Sequence, residues 1–157
     1  MPNYFFQLIA VSIFSIAIGI LHWQYNSKEK SEYTKSEGTL TYYAKEYLNY
    51  PANDPGDYRY IKIDNYPYMF EVYKPNSFPS DRDLDDLRIG NQIEVYYYET
   101  NDTYKLQINR FSKYIDSNGV SYFISDDFQK NGGLFLVGLG ILIAITTVIL
   151  KNKRIIQ

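Results

Sequence analysis

A single histidine and no cysteine leave this chain little of the usual equipment for acid–base or nucleophilic catalysis. Disulfides, thiolate metal sites and cysteine nucleophiles are excluded outright. The compartment stays open, because exported bacterial domains often lack cysteine. His22 closes an apolar run, where an interfacial position explains it better than a catalytic base does. The run Asp81-Arg82-Asp83-Leu84-Asp85-Asp86 suggests calcium, but an EF-hand loop needs Gly at its sixth position and Glu at its twelfth. Counted from Asp81, those positions hold Asp86 and Gln92, so the motif fails. Acids at the start of a short helix are the plainer reading, because the helix dipole favours them there. Asp54, Asp57 and Asp64 fall near turns without ligand spacing, and Gly132-Gly133 opens an apolar helix rather than a phosphate loop. Asn101-Asp102-Thr103 matches a glycosylation sequon, relevant only in a eukaryotic host. We expect no catalytic residue, no metal and no cofactor.

Tyrosine is the residue type in excess: 18 of them, with 9 phenylalanines and one tryptophan. Tyrosine favours strands and carries a polar tip that tolerates a wet surface. The expectation is therefore β structure first and an aromatic recognition surface second. The net charge of −2 offers no basic field for nucleic acid.

Two uncharged apolar runs frame these residues. The first covers residues 4–23 and the second residues 133–150, each about long enough for a ~30 Å hydrocarbon core. The first lacks the basic n-region and the cleavage site of a signal peptide, so it reads as an uncleaved anchor. Lys151, Lys153 and Arg154 follow the second run in the tail, residues 151–157. All 18 acidic residues lie between the runs with 13 of the 16 basic ones, a net −5 against +3 in the tail. Short basic tails stay cytoplasmic. Both termini are thus expected in the cytoplasm of a bacterial cell, anchored in its inner membrane, with residues 24–132 outside. Lys28 and Lys30 argue the other way, but long loops cross largely regardless of charge. Ser15-x-x-x-Gly19 and Gly140-x-x-x-Ala144 are small-residue patterns that would let the two helices pack on each other.

Residues 24–36 read as a polar stalk and 37–125 as a strand-rich domain. Leu40, Tyr42 and Ala44 alternate with Thr39, Thr41, Tyr43 and Lys45, the period of a half-buried strand. A loop follows over residues 49–57. Strands are expected over 58–64, with Ile61 and Ile63 inward, and over 68–74, with Tyr68, Phe70 and Val72 inward. A short helix capped by Ser80, with Asp83 three residues on and Leu84 and Leu87 on one face, ends at Gly90. The next strand points Ile93, Val95 and Tyr97 inward. A long strand over 104–115 starts with Tyr104, Leu106 and Ile108 inward and changes parity to Phe111, which implies a bulge near Asn109–Arg110. A turn at Ser117–Gly119 precedes a last strand from Val120. This order fits a five- to six-stranded OB-like Greek-key barrel with one short helix. A β-sandwich and a curled meander remain open.

The matches Glu37-Gly38-Thr39-Leu40, Phe70-Glu71-Val72-Tyr73 and Leu87-Arg88-Ile89-Gly90-Asn91-Gln92-Ile93-Glu94-Val95-Tyr96-Tyr97-Tyr98 resemble the motifs of a family of bacterial two-span membrane proteins classed only as a domain of unknown function. The resemblance covers most of the chain and implies two spans around a small β domain. It implies no activity. Glu99 and Thr100 stand where that family has a proline after its tyrosines.

Parity on the second and third strands turns Tyr58, Tyr60 and Tyr73 outward, with Tyr58 opposite Tyr73 and Tyr60 opposite Glu71. Tyr96 and Tyr98 on the fourth strand also point outward and would extend the patch. Cross-strand pairing alone explains such tyrosines; a ligand face for a protein, peptide or glycan is the functional alternative. The function expected is a non-catalytic envelope module for such binding, partnered otherwise by the lipid bilayer. An immunity or regulatory protein acting on one dedicated partner is the alternative. An accessory subunit whose spans matter more than its domain is the third possibility.

Overall fold

The computed structural model describes residues 4–51 and 56–156. Asp54 and part of the expected 49–57 loop lie outside the described residues. In chain order the elements are α1 (Tyr4–Asn26), β1 (Thr34–Ala44), β2 (Tyr58–Ile63), β3 (Met69–Tyr73), β4 (Gln92–Tyr97), α2 (Asn101–Leu106), β5 (Ile108–Asn109), β6 (Ser112–Ser117), β7 (Val120–Ile124) and α3 (Phe128–Asn152). Single 3-10 turns occupy Lys30–Glu32 and Leu84–Asp86. The chain divides into two compact units: the two long helices, and residues Glu29–Asp126.

The helices α1 and α3 are each long and apolar enough to cross a membrane. At 23 and 25 residues they outrun the apolar segments expected from the sequence. They pack closely because small residues line the seam. A Cβ on Gly19 would stand 2.8 Å from the Gly133 carbonyl oxygen and the Val137 amide, and one on Gly140 would stand 2.9 Å from the Ser12 carbonyl oxygen. The Ser12 hydroxyl donates to the Gly140 carbonyl at 2.7 Å, and that of Ser15 to the Leu136 carbonyl at 2.9 Å. Ala144 is only partly buried. The buried positions are Ser12 and Gly19 on one helix and Gly133, Gly140 and Thr147 on the other. Their spacing is seven, the repeat of a coiled-coil-like seam, rather than the four read from the sequence. Near the chain ends, the Lys151 ammonium sits 3.7 Å from the Phe5 ring centroid.

The other unit is a seven-stranded sheet in the order β5-β3-β2-β1-β4-β6-β7. The long β1 pairs with β4 along its first half and β2 along its second. β2 and β3 are antiparallel, β3 and β5 parallel, and β6 lies antiparallel to both β4 and β7. One core lies inside it, built from Leu40, Ile61, Ile63, Phe70, Val72, Ile93, Val95, Tyr97, Ile115 and Phe123 among others. Close approach also shapes β1: a Cβ at Gly38 would run into the Asp64 carboxylate, which accepts the Thr39 amide at 2.9 Å.

The strand readings for β2, β3 and β4 hold, including the inward set Ile61, Ile63, Phe70, Val72, Ile93, Val95 and Tyr97. Four local expectations are corrected. Residues 34–36, assigned to the stalk, already belong to β1, because they pair with Val95–Tyr97 of β4. The pairing of β1 with β2 shifts between Leu40 and Tyr42. Beyond that bulge Tyr43 packs against the core and Tyr42 is exposed, the reverse of strict alternation. The expected helix after Ser80 is a single 3-10 turn, capped by Asp83, whose carboxylate accepts the Asp85 amide at 2.7 Å. Leu84 and Leu87 are buried as read.

The fourth correction is the long strand over 104–115. Its first part is helix α2, which Gln107 ends in the left-handed region at φ 59°. The Thr100 amide donates to Thr103 Oγ1 at its start, at 3.4 Å. The strand proper breaks between Asn109 and Ser112, where a bulge was expected, and becomes β5 and β6. Asn109 is fully buried there and ties the break together. Its Nδ2 donates to the Tyr66 hydroxyl and the Tyr98 carbonyl, both at 3.1 Å, and its Oδ1 accepts the Phe111 amide at 2.8 Å. Glu99 accepts the hydroxyls of Tyr66 at 2.9 Å and Tyr104 at 2.5 Å.

Candidate functional site

The outer face of β2 and β3 carries the tyrosines singled out from the sequence. Alternation along β2 sends Ile61 and Ile63 into the core and Tyr58 and Tyr60 to the other side. The observed register pairs Tyr58 with Tyr73 and Tyr60 with Glu71, as read from the turn between the strands. The Tyr58 and Tyr73 rings lie 4.9 Å apart between centroids, tilted by 48°, and both residues are half-buried.

Tyr60 does not form part of an exposed patch. It is 0% exposed and makes a second apolar cluster with Met69 and Ile108. Tyr47, Tyr50, Tyr58 and Leu106 pack against that cluster. The face was assigned correctly; its exposure was not, because the segment before β2 and the end of α2 fold back over it. The Tyr60 hydroxyl donates to Glu71 Oε2 at 2.9 Å, and Arg110 Nε reaches Glu71 Oε1 at 3.3 Å. Burial first, and the Glu71 carboxylate second, push the Tyr60 phenol well above its ordinary range. It therefore stays a protonated hydrogen-bond donor. The Arg110 guanidinium lies 5.3 Å from the Tyr50 ring centroid, a cation–π distance.

Tyr96 and Tyr98 belong to a different group. Tyr96 lies on β4 and Tyr98 just past its end, and β1 separates β4 from β2 in the sheet order. Tyr96 faces Tyr114 of β6 at 6.1 Å, with the Lys30 ammonium 4.7 Å from its ring centroid. Its hydroxyl donates to Glu94 at 2.9 Å, and this bond first, then Lys35, holds the Glu94 carboxyl below its usual range against the opposing effect of burial. Tyr98 stacks on Phe111 at 4.7 Å and lies 6.4 Å from Tyr33. Lys30 also pairs with Asp116, and Lys35 with Glu37 and Glu94. The structure therefore does not join Tyr96 and Tyr98 to the Tyr58–Tyr73 pair.

The acidic run is structural. Asp85 forms a two-pronged pair with Arg59, which is 4% exposed, and takes further hydrogen bonds from the Tyr43 hydroxyl at 2.6 Å and from Lys74 at 2.8 Å. The Arg59 guanidinium chiefly, with Lys74 and Tyr43, holds the Asp85 carboxyl far below the usual carboxylate range. Asp83 caps the turn, and Asp81 accepts the Ser121 amide at 3.0 Å. A depression of about 410 Å³ beside this turn is lined by Lys74, Phe78, Asp83, Tyr122 and Phe123 among others. Among the described residues no three metal-ligating side chains come together. His22 is exposed on α1.

Sequence reasoning missed Tyr47, Tyr50, Leu106 and Arg110 as parts of the β2–β3 face. Tyr47-x-x-Tyr50 is visible in the sequence, but nothing local says where a loop folds back. Compared with family models, with curated proteins and with solved structures, the chain has no match in any of the three.

Proposed function

We propose that this chain is a non-catalytic, two-pass protein of the bacterial inner membrane whose OB-type domain is held outside the cytoplasm to bind a protein, peptide or glycan. The charge asymmetry supports the orientation: a net −5 between the helices and +3 behind the second. The strand circuit supports the OB-type reading. β1, β2 and β3 form a meander, β3 runs parallel to β5, and β6 returns antiparallel to β4, which pairs with β1. Taking β5 and β6 as one strand broken at Arg110–Phe111 closes a five-stranded Greek-key circuit, whose second and third strands commonly form a ligand face.

The observation that carries the binding reading is the half-buried Tyr58–Tyr73 pair on that face. Two adjacent phenol rings give flat, amphipathic contact area at low entropic cost. The test is a Tyr58→Thr/Tyr73→Thr variant of the full chain, which keeps strand propensity and removes the rings. Binding predicts that the native partner no longer co-purifies from membrane extracts while the variant stays folded, its stability lowered only by the modest loss of the ring pair. Unchanged co-purification sinks the reading.

A further inference from the structure

The second apolar cluster has an unusual lid. Its floor is Tyr60 and Met69 of β2 and β3 with Ile108 of β5, an outer face of the sheet rather than its interior. Tyr47 and Tyr50 of the turn Tyr47–Tyr50, with Tyr58 and Leu106, pack over that floor. Tyr42 of β1 holds the root of the turn, its ring 6.1 Å from Tyr47 and its hydroxyl donating to the Glu46 carbonyl at 2.8 Å. Among the described residues the turn closes its backbone bonds on itself: the Tyr47 amide donates to the Tyr50 carbonyl at 3.0 Å, and the Tyr50 amide to the Tyr47 carbonyl at 2.9 Å. Its side chains reach the sheet through ring contacts. Tyr47 lies 6.2 Å from Tyr60, and Tyr50 lies beneath Arg110. At the tip, Leu48 adopts φ 55°, a region that L side chains avoid, and leaves 78% of its surface in solvent. An apolar side chain held in a strained backbone and pointed at water is a poor reason for a turn to stay closed.

We propose that the Tyr47–Tyr50 turn is a displaceable strap, seated as an internal stand-in on a groove that takes an aromatic-bearing peptide segment of a partner protein. The occupant is read from what fills the groove. One aromatic ring packs against Tyr60, and a second, three residues on, lies under the Arg110 guanidinium. A segment with two aromatic side chains in that spacing meets the same floor without carrying a strained leucine. The Glu71–Arg110 pair at the rim supplies a carboxylate and a guanidinium for the polar backbone of such a segment. This deepens the binding reading above and rests on it, but the strap is testable without knowing the partner.

The experiment uses the full chain in nanodiscs. Hydrogen exchange should show the Tyr47 and Tyr50 amides opening at least about tenfold faster than the Ile61 and Phe70 amides. Arg110→Gln should speed the first pair and leave the second unchanged. Exchange of all four in one cooperative step overturns the strap. The binding arm uses a labelled synthetic peptide of residues 45–51, with a control peptide in which both tyrosines are serine. A Tyr47→Ser/Tyr50→Ser variant, its strap unseated, should bind the first peptide at least about tenfold more tightly than the parent chain and the control peptide not at all. Equal binding to both proteins, or no binding by a variant whose Ile61 and Phe70 amides remain protected, overturns the groove. A chito-oligosaccharide that binds the variant where the peptide fails does the same. Loss of the peptide result with intact dependence of native capture on Tyr58 and Tyr73 would remove this inference alone.

Discussion

Tyr58 and Tyr60 stand two positions apart on one face of one strand, yet one is half-buried and the other sealed. Their substitutions should differ accordingly. The Tyr58→Thr/Tyr73→Thr variant loses a ring pair worth about 0.5–1.5 kcal/mol, a shift in urea midpoint without a change in slope. Tyr60→Ala empties a buried site and takes the Tyr60 hydroxyl from Glu71, so it should cost about 3–5 kcal/mol in the same titration. Asp85 gives a pH signature. Its native carboxyl is held low, so the unfolded chain binds the extra proton. Its contribution is complete above the ordinary carboxylate pKa of about 4 and is lost as pH falls below it. Asp85→Asn should therefore lower stability at pH 7 and flatten the acid limb between about pH 5 and 2. Arg59 is sealed but the Asp85 side chain is 40% open, so the loss at pH 7 should be about 2 kcal/mol rather than the ~3–5 of a fully buried pair. An acid limb as steep in the variant as in the parent would show that Asp85 is not the linked group.

Among the elements, the helical hairpin and the β5–β6 break make the sharpest demands. Gly19→Leu and Gly140→Leu drive a side chain into backbone at 2.8 and 2.9 Å, which nothing flexible can relieve. Each should cost at least about 1–3 kcal/mol of helix pairing. Gly138→Leu, at a position where a Cβ would meet nothing within 4 Å, should cost none. Because the chain has no cysteine, disulfide trapping between Ile16→Cys and Val137→Cys reads the pairing cleanly. It should fall in the first two variants and persist in the third. At the break, Asn109→Ala strips hydrogen bonds from the Tyr66 hydroxyl, the Tyr98 carbonyl and the Phe111 amide. The Tyr66 hydroxyl keeps its bond to Glu99, so the cost falls on the bonds lost at the Tyr98 carbonyl and the Phe111 amide, about 1–3 kcal/mol, and the melting temperature should fall accordingly.

For the molecule as a whole the proposal to test is that α1 and α3, long and apolar enough to cross a membrane, hold the sheet unit outside the cytoplasm. A reporter active only outside the cytoplasm should work when fused between residues 56 and 120 and fail after residue 157. The opposite pattern would reverse the orientation and leave both packing arguments standing, since neither depends on sidedness.

How much of this was legible follows from the range of the forces involved. The two apolar helices, the three strands β2 to β4, their inward residues and the Tyr58–Tyr73 register could all be read from residue order. Each rests on periodicity or on a turn a few residues away. The position of the Asn109 break was legible too, as a change of parity. The structure alone decided the bulge that turns Tyr43 inward in place of Tyr42, since that depends on β1 bending to serve two partners. It alone decided that Tyr104 and Leu106 are helical, where a period of two competed with caps at both ends of a six-residue helix. It alone sealed Tyr60. Alternation sorts side chains onto two faces of a sheet, but whether the outer face meets water depends on where distant loops return, and residue order within a strand carries no record of that.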